Sequence, residues 1–160
     1  MPVRCTFNLN SKEMSELWCS GFGTVTAYSG TKWGRDNPSA TDAENVGPLP
    51  IGKYYIVDRQ SGGTFGWARD LWSEYGWGTT DRTHWFALWN PNTGDTTMIH
   101  GIRRGAFRLH PEGLMQLSEG CITVVSRIEF DNLQRYLRSR KPDTPVPNSI
   151  LRAYGTVEVR

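Results

Sequence analysis

The chain has 160 residues, enough for one domain with a sizeable core, and its 18 Lys and Arg against 16 Asp and Glu leave a net charge of only +2. So even a balance does not by itself call for a nucleic-acid partner. No run of residues approaches the ~20 apolar positions that span a bilayer, so stable membrane insertion is not expected. The opening Met-Pro-Val-Arg-Cys-Thr-Phe lacks the apolar segment of a Sec-type signal peptide, which predicts synthesis in the cytoplasm.

Glycine (17) and proline (9) are scattered among short apolar runs, the pattern of a turn-rich β protein and not of a disordered chain. Val3 to Leu9, Glu16 to Cys19 and Gly23 to Tyr28 read as strands, and a polar loop runs from Ser29 to Gly47. Lys53 to Asp58 is the clearest early strand. The Trp-rich stretch Phe65 to Tyr75 holds at most one helical segment. Trp85 to Trp89 and Thr96 to His100 look like the arms of a hairpin around Asn90 to Gly94. Ala106 to Leu109 and Ile122 to Val125 read as short buried strands, with a turn-rich segment from Pro111 to Gly120 between them. Ser126-Arg-Ile-Glu129 has the form of a capping box, and Phe130, Leu133 and Leu137 follow at i, i+3 and i+7, so a helix is expected over about 126–139. Pro142, Pro145 and Pro147 follow it and prevent its continuation. Ile150 to Val159 closes the chain as a strand. The expected architecture is a single, mainly β domain over 1–160, mostly antiparallel, with one packed helix.

Of the three cysteines, Cys5 and Cys19 flank the first hairpin. They can pair in an oxidising compartment, but residue types favour two small buried apolar groups. Cys121 is left over either way, which flags a reactive thiol. It follows Gly120 at the mouth of the strand Ile122-Thr-Val-Val125, and His110 lies 121 − 110 = 11 residues before it. A thiol becomes a nucleophile when a neighbouring base takes its proton, and histidine, with an ordinary pKa near 6.5, does so at neutral pH. Gly120 leaves room for an incoming carbonyl and lets the Gly120 and Cys121 N–H groups face a developing oxyanion. Ser118 is placed to hydrogen-bond across this turn or to meet substrate. His100, in Met98-Ile-His-Gly101, is the rival base, and a zinc site from His100, His110 and Cys121 is a weaker alternative because its spacing fits no closed Cys/His pattern. The bland account of Cys121 is a packed thiol. Gly47-Pro-Leu-Pro-Ile-Gly52-Lys53 imitates a phosphate-binding loop but continues with Tyr54 and spends two donors on proline, so it is rejected. Trp67, Trp72, Trp77, Trp85 and Trp89 either line a groove or fill core.

His110 with Ser118-Glu-Gly-Cys121 resembles the active-site pattern of L,D-transpeptidases, and Gly47-Pro-Leu-Pro-Ile-Gly-Lys-Tyr54 resembles an earlier turn and strand of those domains. Phe107-Arg-Leu-His110 followed by Ser118-Glu-Gly-Cys-Ile122 is similar, more narrowly, to the type VI secretion effectors with L,D-transpeptidase activity. Glu119 departs from the histidine common in the broader family. His100-Gly101 also imitates that family's His-Gly.

The resemblance implies an L,D-transpeptidase-like catalytic domain acting on peptidoglycan peptide stems, with Cys121 as nucleophile, His110 as base, the Gly120 turn as oxyanion site and no cofactor or metal. Arg104, Arg108 and Tyr54 become candidate substrate contacts. It also implies delivery by type VI machinery to the periplasm of a target cell, and a cognate immunity protein as partner. Two other classes stay open. One is a different cysteine amidase or peptidase, although familiar papain-like domains place Cys before His. The other is a non-catalytic Trp-rich wall-binding module.

Overall fold

The computed structural model describes residues 2–58, 84–113 and 120–160. Its strands are β1 (Val3–Phe7), β2 (Ser15–Cys19), β3 (Gly23–Tyr28), β4 (Gly52–Asp58), β5 (Phe86–Trp89), β6 (Thr96–Ile99), β7 (Ile102–Gly105), β8 (Arg108–Pro111), β9 (Ile122–Val124), β10 (Thr144–Pro145), β11 (Arg152–Ala153) and β12 (Gly155–Val159). Among the described residues one α-helix, α1 (Arg127–Arg138), lies between β9 and β10.

Eight strands close a barrel in the order β1-β12-β4-β5-β8-β9-β3-β2. The β1–β12 and β8–β9 pairs are parallel and the other barrel pairs antiparallel, so the mainly β, mostly antiparallel expectation holds at that level. Period-two alternation makes the inside. Val3, Cys5 and Phe7 of β1 are buried in the core while Arg4 is exposed. Leu17, Ile56, Phe86, Leu109, Ile122 and Val157 complete the same cluster from their own strands. Each such side chain contributes about 1.5–3 kcal/mol on burial.

The helix forms where its cap and stripe require. Ser126 is in extended conformation and its Oγ accepts from the Glu129 N–H at 3.3 Å. Phe130, Leu133 and Leu137 are buried in the barrel cluster. The polar edge of α1 bonds at strand ends. The Tyr136 hydroxyl donates to the Ser20 carbonyl beyond β2, and Arg138 donates to Asp58 at the end of β4 and to the Trp85 carbonyl ahead of β5. The helix thus stops one end of the barrel. Among the described residues no helix is long and apolar enough to cross a membrane.

Three expectations are corrected. Cys5 and Cys19 are disulfide-bonded rather than two separate thiols, because the β1–β2 register sets them directly opposite each other. The segment Trp85 to Trp89 does not form a hairpin with Thr96 to His100. β5 pairs with β4 and β8, and only an isolated Asn90–Gly94 bridge marks the intervening turn. β6 instead pairs with β7, a strand without a signal in the sequence, through a two-residue turn at His100-Gly101. Both turn residues have positive φ, 48° and 80°, the requirement of a type I′ hairpin. Finally, the strand expected over Ala106 to Leu109 begins only at Arg108 and runs to Pro111. Ala106 has φ 56° and cannot belong to a ladder. The helical stretch considered within Phe65 to Tyr75 lies outside the described residues.

Candidate active site

Three adjacent strands assemble the site. In the parallel β8–β9 pair Leu109 faces Ile122 and His110 faces Thr123, and β3 adds Tyr28 opposite Thr123. Leu109 and Ile122 point into the barrel core. Alternation therefore turns His110, Thr123 and Tyr28 to the outer face as one row. Cys121 stands one residue ahead of β9 and two before Thr123, so the same alternation gives it that face. Strand spacing and rise place it diagonally from His110, roughly 8 Å between Cα atoms. Both side chains are buried, His110 at 1 % exposure and Cys121 at 4 %.

The imidazole is held on three sides. Its Nδ1 lies 2.7 Å from the Pro111 carbonyl. A carbonyl only accepts, so Nδ1 carries the proton and Nε2 keeps its lone pair. Thr123 Oγ1 is 3.4 Å from Nε2, and Trp85 stacks on the ring at 4.8 Å. Burial drives the His110 pKa down to about 4, the Arg108 charge pushes the same way, and the Pro111 hydrogen bond opposes them. At neutral pH His110 is an uncharged ring whose unprotonated Nε2 faces the Thr123 hydroxyl.

The thiol donates to the Ala106 carbonyl, with Sγ and oxygen 3.9 Å apart. Ala106 is held in its left-handed conformation by its N–H bond to the Asp95 carbonyl at 2.9 Å. The Asp95 side chain receives Arg108 Nη1 at 2.7 Å, and both groups are nearly buried. Burial pulls the Asp95 pKa upward against the opposing effect of Arg108. Asp95 thus ties both the strand that carries His110 and the loop that faces Cys121. Asp95→Ala takes the carboxylate from the buried Arg108 guanidinium, which keeps its bond to the Phe107 carbonyl, and we expect a loss on the order of 3 kcal/mol in urea unfolding.

Gly120 has φ 93°, and a Cβ there would lie 2.5 Å from Arg104 Nη2 and 2.8 Å from Phe107. No other residue fits the turn without movement. Gly120→Ala is expected to cost about 1–2 kcal/mol from backbone conformation alone, before any clash, and to slow turnover by displacing the turn that carries Cys121. Thermal unfolding and rate measurements on one preparation check both effects.

The remaining candidates occupy distinct places. Arg104 is buried, and its guanidinium donates to the carbonyls of Thr41, Gly47 and Pro48 at 2.7, 2.9 and 2.7 Å. It fastens that loop against the Gly120 turn. Tyr54 faces the barrel interior, with its hydroxyl on the Pro50 carbonyl at 2.8 Å and its ring edge-on to Phe107. His100 is the exposed hairpin turn, paired with Asp42 at 3.0 Å and with its side chain 80 % exposed. His100 and the buried His110 therefore do not gather into a metal-binding set. Ser118, Trp67, Trp72 and Trp77 lie outside the described residues. Of the tryptophans read as lining a groove or filling core, Trp85 stacks on His110. Thr123, the Pro111 carbonyl and Asp95 are site residues that the sequence reading missed, and of these only Thr123 had a signal, its place two residues after Cys121 in an expected strand.

A buried cysteine and a buried histidine thus lie on one patch of the β-barrel, with a left-handed glycine before the cysteine. The family model of the Tlde1 domain matches residues 23–149, which run from β3 beyond α1 and contain Cys121, His110 and all their partners named above. The chain belongs to that family, the type VI secretion L,D-transpeptidase effectors. Neither the curated proteins nor the solved structures give a match.

Proposed function

We propose that the chain is one catalytic domain, residues 1–160, of L,D-transpeptidase type, and that it processes tetrapeptide stems of peptidoglycan through a Cys121 thioester. The observation that carries this is the shared outer-face patch of Cys121 and His110, with the His110 tautomer set by Pro111. Neutral His110 takes the thiol proton at Nε2. The Cys121 thiolate adds to the carbonyl of the diaminopimelate residue, and the Gly120 and Cys121 N–H groups receive the oxyanion. Collapse of the tetrahedral adduct breaks the bond to the terminal D-Ala, whose amine leaves with the proton from His110. Water then releases the acyl group as a carboxylic acid. A D-amino acid gives exchange instead, and the amine of a second stem gives a cross-link.

Incubation with purified tetrapeptide muropeptides, read by mass spectrometry, is the direct test. Loss of one alanine mass, or its replacement by an added D-amino acid, is expected. An unchanged muropeptide would overturn the proposal. The burial of Cys121 also suits a packed, inert thiol in a wall-binding module, and that second account predicts binding without any mass change.

Family membership gives a type VI effector, with secretion machinery and an immunity protein as its natural partners. Delivery to the periplasm of a target cell follows as a proposal about where the substrate is met. Cytosolic precursors carry pentapeptide stems, so a terminal fourth residue is scarce there. Fusing an export signal to the chain is expected to turn a silent gene into a growth-inhibiting one, with the effect lost in Cys121→Ala. Equal toxicity with and without the signal would place the target in the cytosol.

A further inference from the structure

A groove of about 810 Å³ crosses the outer face of β2, β1, β12 and β4. In the barrel order the β1–β12 pair lies diametrically opposite β8–β9, so this groove is on the far side of the molecule from Cys121. Its volume falls within the usual range for ligand sites, about 300–1,000 Å³. The pairing registers lay Trp18, Thr6, Glu158 and Lys53 in one outward row across four strands. Three strand spacings make that row about 14 Å long, room for more than one sugar ring.

Two features of the lining point to the ligand. Trp18 is 46 % exposed next to the end of β2, a large apolar ring turned to water. The groove is further lined by Arg4, Lys53, Arg140 and Arg160, and among its described lining residues Glu158 is the acidic side chain, pairing with Arg160 at 3.1 Å. The ligand must therefore offer a flat face and several negative charges together. A purely acidic protein segment supplies the charges but nothing for the exposed ring. A glycan strand carrying peptide stems supplies both, as sugar faces for Trp18 and stem carboxylates for the arginines.

We infer that this groove is a second binding site for the polymeric substrate, holding a glycan stretch with its acidic stems while Cys121 works on a different stem. The inference rests on the peptidoglycan assignment above. It makes the chain act more efficiently on a polymer than on an isolated muropeptide, because binding at one site raises the local concentration of stems at the other.

The test separates the two claims. Full-length Cys121→Ala protein is sedimented with purified sacculi at low and high salt, with and without Trp18→Ala and the pair Arg4→Glu and Arg140→Glu. Each set of groove substitutions is expected to weaken binding about tenfold or more, and salt to weaken the unsubstituted protein. In the Cys121 protein the same substitutions should lower the ratio of turnover on sacculi to turnover on a soluble monomeric muropeptide by about the same factor. A circular-dichroism melt shows that each variant is folded, and a second charge pair, Lys53→Glu with Arg160→Glu, replaces any variant that is not. Undiminished sedimentation or an unchanged ratio in folded variants would overturn the inference while leaving the chemistry at Cys121 standing. Equal affinity for sugar-free poly-glutamate would also overturn it, in favour of an acidic protein partner. Sacculus binding that needs the groove, with no turnover of either substrate, would instead remove the catalytic proposal.

Discussion

Cys121→Ala is expected to abolish turnover of tetrapeptide stems and to leave a folded protein. The sulfur is the atom that forms the thioester, so its removal leaves no residual covalent route. The change is small structurally. Sγ has a long contact to the Ala106 carbonyl, and the neighbouring Gly120 turn lies close against Arg104 and Phe107. Intact-mass spectrometry of the Cys121 protein with substrate should show an adduct of the stem less its terminal alanine, and the alanine variant should show none. A folded variant that still trims stems at the original rate would sink the thioester mechanism.

What the sequence disclosed follows from how local each signal is. The helix was legible because Ser126, Glu129 and the Phe130, Leu133 and Leu137 stripe act within a few turns of chain, and the cap forms as expected. Strands β1 to β4 were legible, β1 from alternation and β3 and β4 from runs of β-branched and aromatic residues. Their partners were not, since register depends on the whole barrel, and so β5 was assigned to a hairpin with β6 when it pairs with β4 and β8. The disulfide needed that register too, because Cys5 and Cys19 meet only once β1 and β2 are aligned. The site was half visible. Cys121, Gly120 and His110 lie close in the chain and carry the family resemblance. Trp85 and Asp95 reach the site from elsewhere in the chain and have no motif of their own. His100-Gly101 misled for a physical reason, as a pair that serves a left-handed hairpin turn has the same letters as a catalytic one.

The assignment of His110 over His100 predicts a pH profile as well as a mutational ranking. His110→Ala should lose roughly 10²–10⁴-fold in rate, whereas His100→Ala removes only an exposed partner of Asp42 and should leave the rate nearly unchanged. An exposed histidine base would lose activity as pH falls through about 6.5. His110 is held at about 4 by burial and by Arg108. Protonation removes the Nε2 lone pair, so kcat/KM should stay level from neutral pH to about pH 5 and then fall with a midpoint near 4. Stability should respond to the same proton. The folded value is depressed, so between the unfolded value near 6.5 and the folded one the unfolded chain binds more protons. This group's contribution is thus complete above about pH 6.5 and is lost as pH drops through that window. His110→Gln removes the titration, and the slope of stability against pH should flatten there. A larger rate loss in His100→Ala than in His110→Ala would transfer the role of base to the hairpin turn.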